Sequence, residues 1–320
     1  MKRSTKIWLL AAAALVVLGI LAFVCVMAVN HWDFGKFSNT QYETETVEIN
    51  EKFEDISVRT DTEELFFRPS EDGKCRVVFY GDKNKTHSAA VQNGTLTIET
   101  VDTKKWHEQT LFAVGVQKVT VYLPQAQYAA LTVEEDTGNI AIARDFAFET
   151  VDISVSTGNI ECLASCAGRL RIGTSTGDIR LEGLTAGALE LAVTTGEVDV
   201  RSVDCAGDFG LTVSTGKTYL ENVTCRSFAS VGSTGRLTME NVIVTEALSV
   251  ERSTGDVTLE QCDASELVIT TSTGDVTGTL LSEKVFLTQT DTGKVEVPES
   301  ISGGKCKIAT DTGDIILSVR

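Results

Sequence analysis

Ser156-Thr157-Gly158-Asn159-Ile160 and Ser175-Thr176-Gly177-Asp178-Ile179 are two copies of one phrase. It consists of a hydroxyl or acidic residue, Thr, Gly, usually Asp or Asn, and then a β-branched residue. The phrase recurs ten times, with its threonines and glycines at Thr137-Gly138, Thr157-Gly158, Thr176-Gly177, Thr195-Gly196, Thr215-Gly216, Thr234-Gly235, Thr254-Gly255, Thr273-Gly274, Thr292-Gly293 and Thr312-Gly313. Every spacing is 19 or 20 residues. A fixed period of this length is the mark of a solenoid, in which each repeat buries its apolar face against the next.

Counting from each Gly, apolar residues stand at −7 and −5 (Leu170/Ile172, Leu189/Leu191, Phe209/Leu211) and again at +2 and +4 (Ile179/Leu181, Val198/Val200, Leu237/Met239). A third, shorter apolar column lies near +7 to +9, as in Val203/Cys205 and Val223/Cys225. Both main columns have the period of two that sends alternate side chains of a strand into a core. The sequence therefore predicts an all-β, parallel β-solenoid of about 19–20 residues per coil over 131–320, with successive coils pairing in parallel. Ten coils stacked at strand spacing make a rod about 45 Å long. Inward parity is odd before the Gly and even after it, so the chain must bend there, and Gly supplies the backbone freedom. The Thr at −1 shares the inward parity, which places its hydroxyl for a bond to the corner backbone or to the next Thr. The +1 residue carries Lys or Arg at Lys217, Arg236 and Lys294, so that column reads as solvated turn residues and not as a repeated cation site. No Pro occurs between Pro124 and Pro298, as stacked paired strands require. The twenty Thr and Gly residues of the phrase are structural corners in this reading, with no catalytic, cofactor or metal site attached. The phrase runs close to Arg320, which predicts a bare C-terminal coil open to a homo-oligomer or a partner.

Upstream, residues 47–130 alternate without the Thr-Gly phrase: Ile56 and Val58, Leu65 to Phe67, Val77 to Tyr80, Leu96 and Ile98 after the Asn93-Gly94 turn, and Val119 to Leu123. This is an atypical β-rich region that begins or caps the array. Residues 30–46 are a polar juxtamembrane spacer. Ile7 to Val29 carries no charge and is long enough to cross about 30 Å of hydrocarbon. Lys2, Arg3 and Lys6 precede it, which puts residues 1–6 in the cytoplasm and the solenoid outside. The competing reading is a cleaved signal peptide ending near Val26-Met27-Ala28, but the apolar run is longer than such signals need.

A net charge of −17 with no basic stripe excludes nucleic acid as a partner. Cys75, Cys162, Cys166, Cys205, Cys225, Cys262 and Cys306 follow the anchor, an odd number that does not fit a complete disulfide framework. Cys162 and Cys166 lack the second pair that a zinc site needs, and five of the seven fall in apolar columns, so they read as core residues. The histidines, His31, His87 and His107, all lie outside the repeats, so no base stands beside the many Ser and Thr. Asp256 with Asp275, one coil apart, is the best carboxylate pair for a β-helix carbohydrate-active enzyme, and it reads better as two turn aspartates.

The anchor, the NGTLTIET (93–100) and KVTVYLP (118–124) stretches and the STGDI/STGNI phrases together resemble the bacterial DUF4097-type β-strand-repeat family, whose members carry an adhesin label. The resemblance covers about residues 47–320 and implies a surface-exposed solenoid without catalytic residues or cofactors. The resulting expectation is a non-enzymatic, single-pass protein of the bacterial cell membrane, serving adhesion or envelope scaffolding through a protein or glycan ligand. An envelope-stress or signalling component that docks another membrane protein is the alternative, and a carbohydrate-active enzyme a remote one.

Overall fold

In the computed structural model, residues 3–32, 42–83, 85–102 and 116–320 are described. His107 and most of the spacer lie outside them. One helix, α1 (Arg3–Val29), precedes a nearly all-β chain. Its 22 residues Trp8–Val29 are apolar and long enough to cross a membrane, and apart from Met27 the described side chains of that span are exposed.

The solenoid forms as the alternation predicts. Every residue at −7 and −5 from Leu131 to Ile269 is buried, and strands pair in parallel and in register, Leu170 with Leu189 and Leu189 with Phe209. The third column is buried too, from Leu184 to Ala264. It follows a second corner at +6, where Gly183, Ser202, Asn222, Asn241 and Gln261 all have positive φ. All seven cysteines beyond α1 are buried free thiols. Burial pushes the Cys225 thiol up to about 12, and Cys75, Cys162 and Cys306 rise to about 12 for the same reason. In a Cys25→Ser full chain, Ellman's reagent should therefore titrate fewer than one thiol before guanidinium is added and seven afterwards.

Gly is demanded at the corner for more than its bend. At Gly158, φ is +155°, and a Cβ would stand 1.8 Å from the carbonyl oxygen of Gly138 in the preceding coil. Gly216 repeats this at 1.7 Å from the Gly196 oxygen. The corner carbonyls point along the rod, and each occupies the space a side chain would need in the next coil. The Thr at −1 corrects the parity expectation. All ten of these threonines are exposed, so the bend begins at −2. The inward hydroxyls belong instead to −3, where Thr174, Thr290 and Thr310 donate to the Gly158, Gly313 and Gly274 carbonyls.

Both ends depart from sequential stacking. At the first end lie β1 (Tyr42–Ile49), β2 (Asp55–Thr60), β3 (Glu63–Pro69), β4 (Cys75–Asp82), β5 (Lys85–Gln92), β6 (Thr95–Asp102) and β7 (Gln117–Leu123). β2 and β3 form a coil that packs directly on residues 127–142, with Ile56 beside Leu131 and Leu65 beside Ile140. β6 and β7 form the next coil outward, with Leu96 beside Ile56 and Val119 beside Leu65. β5 then covers β6, β4 covers β7, and β1 covers β4, all antiparallel. Asn93 and Gly94, both at positive φ, make the tight β5–β6 turn.

At the far end the order is again exchanged. Residues 304–319 lie between the coil of 266–280 and the coil of 284–296, so Leu267 pairs with Cys306, and Cys306 with Phe286. The bare coil expected at the C-terminus is thus the one before it in sequence, 284–296.

Candidate functional site

Two places on the rod carry more chemistry than the repeat requires: a polar corner at the first end and the uncovered edge at the other.

The polar corner arises because the phrase degenerates in the β2–β3 coil. Asp61-Thr62-Glu63-Glu64-Leu65 aligns with Asp136-Thr137-Gly138-Asn139-Ile140, which places Glu63 where a corner Gly belongs. Its backbone carbonyl plays the part of a corner Gly toward Gly138, where a Cβ would come within 1.9 Å of it. The side chain folds back over its own turn. One carboxylate oxygen accepts from the N–H groups of Asp61 (3.1 Å) and Thr62 (2.9 Å), and the other from Lys85 Nζ at 2.7 Å. Lys85 Nζ also donates to Thr62 Oγ1 at 2.9 Å. Glu63 and Lys85 form an almost completely buried ion pair, at 1% and 6% side-chain exposure.

Glu135 faces this pair from the inward −3 column, beside Thr60, whose hydroxyl donates to Glu135 Oε2. Burial, and then the nearby Glu63 carboxylate, push the Glu135 carboxyl up to about 8. The N–H groups of Glu63 and Thr137 oppose that rise without cancelling it. His87 stacks on Phe79 with ring centroids 4.7 Å apart, and burial lowers its pKa. Glu135 Oε1, His87 Nδ1, Thr100 Oγ1 and Gln117 Oε1 are buried without partners among the described residues. A neutral carboxylic acid near an ionised carboxylate is the pairing from which acid–base sites are built. Here, however, both carboxyls are sealed, Glu63 at 1% and Glu135 at 4% exposure. The cluster holds a proton in the core, and among the described residues it opens to no cleft. Among the described residues no group of three or more His, Cys, Asp or Glu could hold a metal ion. Of this cluster the sequence reading singled out His87 alone. The signals that would have found the rest are Glu63 in a Gly column and Glu135 in an inward one.

The same −3 column carries a buried basic group far along the rod. It runs Thr60, Glu135, Val155, Thr174, Val193, Val213, Gly232, Arg252, Thr271 and Thr310. Glu135 and Arg252 stand six rungs apart, roughly 29 Å at strand spacing, so neither neutralises the other.

The +1 column is exposed, yet it bonds the backbone. Asn139 Oδ1 accepts from Asn159 N–H (2.9 Å), Asn159 from Asp178, Asp178 from Glu197, Asp256 from Asp275 (3.2 Å) and Asp275 from Asp314. Each side chain ties its coil to the next, which corrects the reading of this column as solvent-facing only. Asp256 and Asp275, the carboxylates weighed for catalysis, are rungs of this ladder. The ladder stops where Glu197, Lys217 and Arg236 intervene, and the ion pairs Lys217–Glu197 (3.3 Å) and Arg236–Asp256 (3.2 Å) replace it.

At the uncovered end, residues 284–292 pair among the described residues on one side only, with 304–312. Leu281, Leu287, Val295, Ile301 and Ile316 are exposed there, and Ile301 is wholly so. Two open hollows share Val297. One, about 620 Å³, lies against Gly278, Glu296 and Ile316, and the other, about 690 Å³, against Phe286, Pro298 and Ile301. Among the described residues no strand lies on the outer side of 317–319, because the neighbouring strand ends at Glu296 before Pro298.

Residues 53–216 and 206–320 each match the family described as Toastrack DUF4097. No curated protein matches the chain in sequence. Among solved structures it is similar to a putative adhesin from Parabacteroides merdae ATCC 43184, at 13% identity and a TM-score of 0.50, over 77% of this chain and 98% of that one. A putative adhesin from Bacteroides fragilis NCTC 9343 aligns at 16% identity and a TM-score of 0.41, over 89% of this chain and 99% of that one. A putative lipid binding protein from Parabacteroides distasonis ATCC 8503 aligns at 15% identity and a TM-score of 0.49, over 87% and 97%. At such identities the first likeness speaks for the fold alone, and the other two carry no argument.

Proposed function

We propose a function from the premise that the chain belongs to the Toastrack DUF4097 family: it is a non-enzymatic rod of the cell envelope, held by its apolar helix, that contacts a protein partner through its uncovered end in adhesion or scaffolding. The observation that carries this reading is the difference between the two ends. One ends in the antiparallel strands β1 and β5, whose outer edges carry charged and polar residues such as Glu43, Glu45 and Glu48, whereas the other ends in a parallel strand edge beside clustered apolar side chains. Exposed flat edges invite strand addition, and proteins that do not use them cover or blunt them. The N-terminal basic residues support a cytoplasmic N-terminus with the rod outside. Against catalysis, the acid–base pair at the first end is buried, and Asp256 and Asp275 are engaged in the ladder.

A photo-crosslinking residue at Leu287 should capture a discrete protein on intact cells, and one at the exposed lateral residue Val231 should not. Gln289→Pro, which blunts the edge without touching the core columns, should reduce the Leu287 adduct at least tenfold. An adduct of twice the chain's mass would identify the partner as a second copy. Capture at Val231 with none at Leu287 would place the contact on the side of the rod and overturn the proposal.

A further inference from the structure

Arg252 is out of keeping with the core that surrounds it. It stands in the inward −3 column, 2% exposed, between Gly232 and Thr271. Its Nη2 donates to Ser230 Oγ at 2.8 Å, while Nε and Nη1 have no partner among the described residues. No carboxylate among the described residues acts on it, and burial alone pushes its pKa below the ordinary guanidinium value. An unpaired charge in such a core is strongly unfavourable, so native structures pair it or supply a counter-ion.

The surrounding sequence has made room for this group. The rung with Leu211 and Val213 becomes Ser230 and Gly232 in the coil toward which the arginine reaches. A Cβ on Gly232 would lie 1.7 Å from Arg252 Nη1, so the guanidinium occupies the space a valine would fill. Ser for Leu and Gly for Val remove about five side-chain heavy atoms, and Arg for Val adds about four, in an interior packed to crystal-like density. The balance leaves space for about one further atom, the size of a water or a monatomic ion. Thr271 Oγ1 in the next rung is also buried without a partner among the described residues, which adds a further donor to this stretch. A water would meet the hydrogen-bonding need and leave the charge uncompensated. Polyatomic anions exceed the space.

We propose that a single halide ion, chloride under physiological conditions, is built into the core beside Arg252 as its counter-ion, held by the Nε and Nη1 donors. It enters as the coils close, and it neutralises the one guanidinium of the −3 column. The site is independent of any contact at the uncovered end.

The test uses the full chain in detergent. Crystals grown in bromide should show an anomalous peak within hydrogen-bonding reach of Arg252 Nε and Nη1. In denaturant titrations at constant ionic strength, exchanging gluconate for bromide or chloride should multiply the folded-to-unfolded ratio about tenfold for each tenfold rise in halide above its Kd. The double substitution Gly232→Val with Arg252→Thr, which recreates the Val213 and Thr271 rungs, should abolish that dependence. Water alone at the guanidinium, or an equal halide response in wild type and double variant, would overturn the proposal. If the double variant does not fold, the bromide map of the wild type decides the matter by itself.

Discussion

Gly216→Ala should shift the urea midpoint of the full chain far below that of the wild type, by an amount equivalent to about 3–5 kcal/mol. Two effects add at this position. The φ of +151° is strained for any residue with a side chain, and the new Cβ would stand 1.7 Å from the Gly196 carbonyl oxygen. Relief requires the two coils to part, which breaks the bond from Gly196 N–H to the Thr215 carbonyl (3.0 Å). Two controls separate this cause from a general intolerance of change. At Gly210 a Cβ would meet its nearest neighbour, Leu189 O, at 4.0 Å, so Gly210→Ala should be neutral or slightly stabilising. Thr215 is exposed, so Thr215→Val should change stability by no more than about 0.5 kcal/mol. Equal losses at Gly210 and Gly216 would remove the carbonyl argument.

Glu135→Gln should stabilise the chain in a pH-dependent way. The Glu135 carboxyl is raised from 4.5 to about 8, chiefly by burial and next by Glu63. Between those values the unfolded chain releases the proton that the folded chain keeps. The folded state then binds more protons, and stability falls as pH rises. The contribution of the protonated acid is complete below the unfolded value of 4.5 and lost as pH passes about 8. Gln keeps the shape and stays neutral throughout. The variant should match the wild type near pH 4.5 and exceed it at pH 8 by on the order of 4 kcal/mol, read from paired denaturant titrations across the range. A difference between the two chains that stays flat with pH would remove the buried-acid reading.

The body of the rod was legible because its period is enforced by packing. Each coil repeats the −7, −5, +2 and +4 columns, and the cysteines fall in register with them. The orientation of the corner threonines was not legible. Parity counting assigned Thr137 and its equivalents inward, whereas two successive residues, −2 and −1, face solvent before the chain turns. The ends were hidden for a different reason. Every coil presents nearly the same edge, so nothing in the pattern of 284–296 or 304–319 specifies which one touches 266–280. The polar corner was hidden by a single residue: Asp61-Thr62-Glu63 differs from the phrase only at the Gly, and Glu there disguises a coil that otherwise fits.

The exchanged order of the last two coils bears on how the rod is made and how it comes apart. Residues 304–319 leave the ribosome after 284–296 but lie beneath them, so co-translational growth can proceed coil by coil only as far as 266–280. The remaining two must close together, as a clasp. A pull on the segment around Arg320 then meets two strand interfaces at once, where a simple spiral would yield one and unravel from its tip.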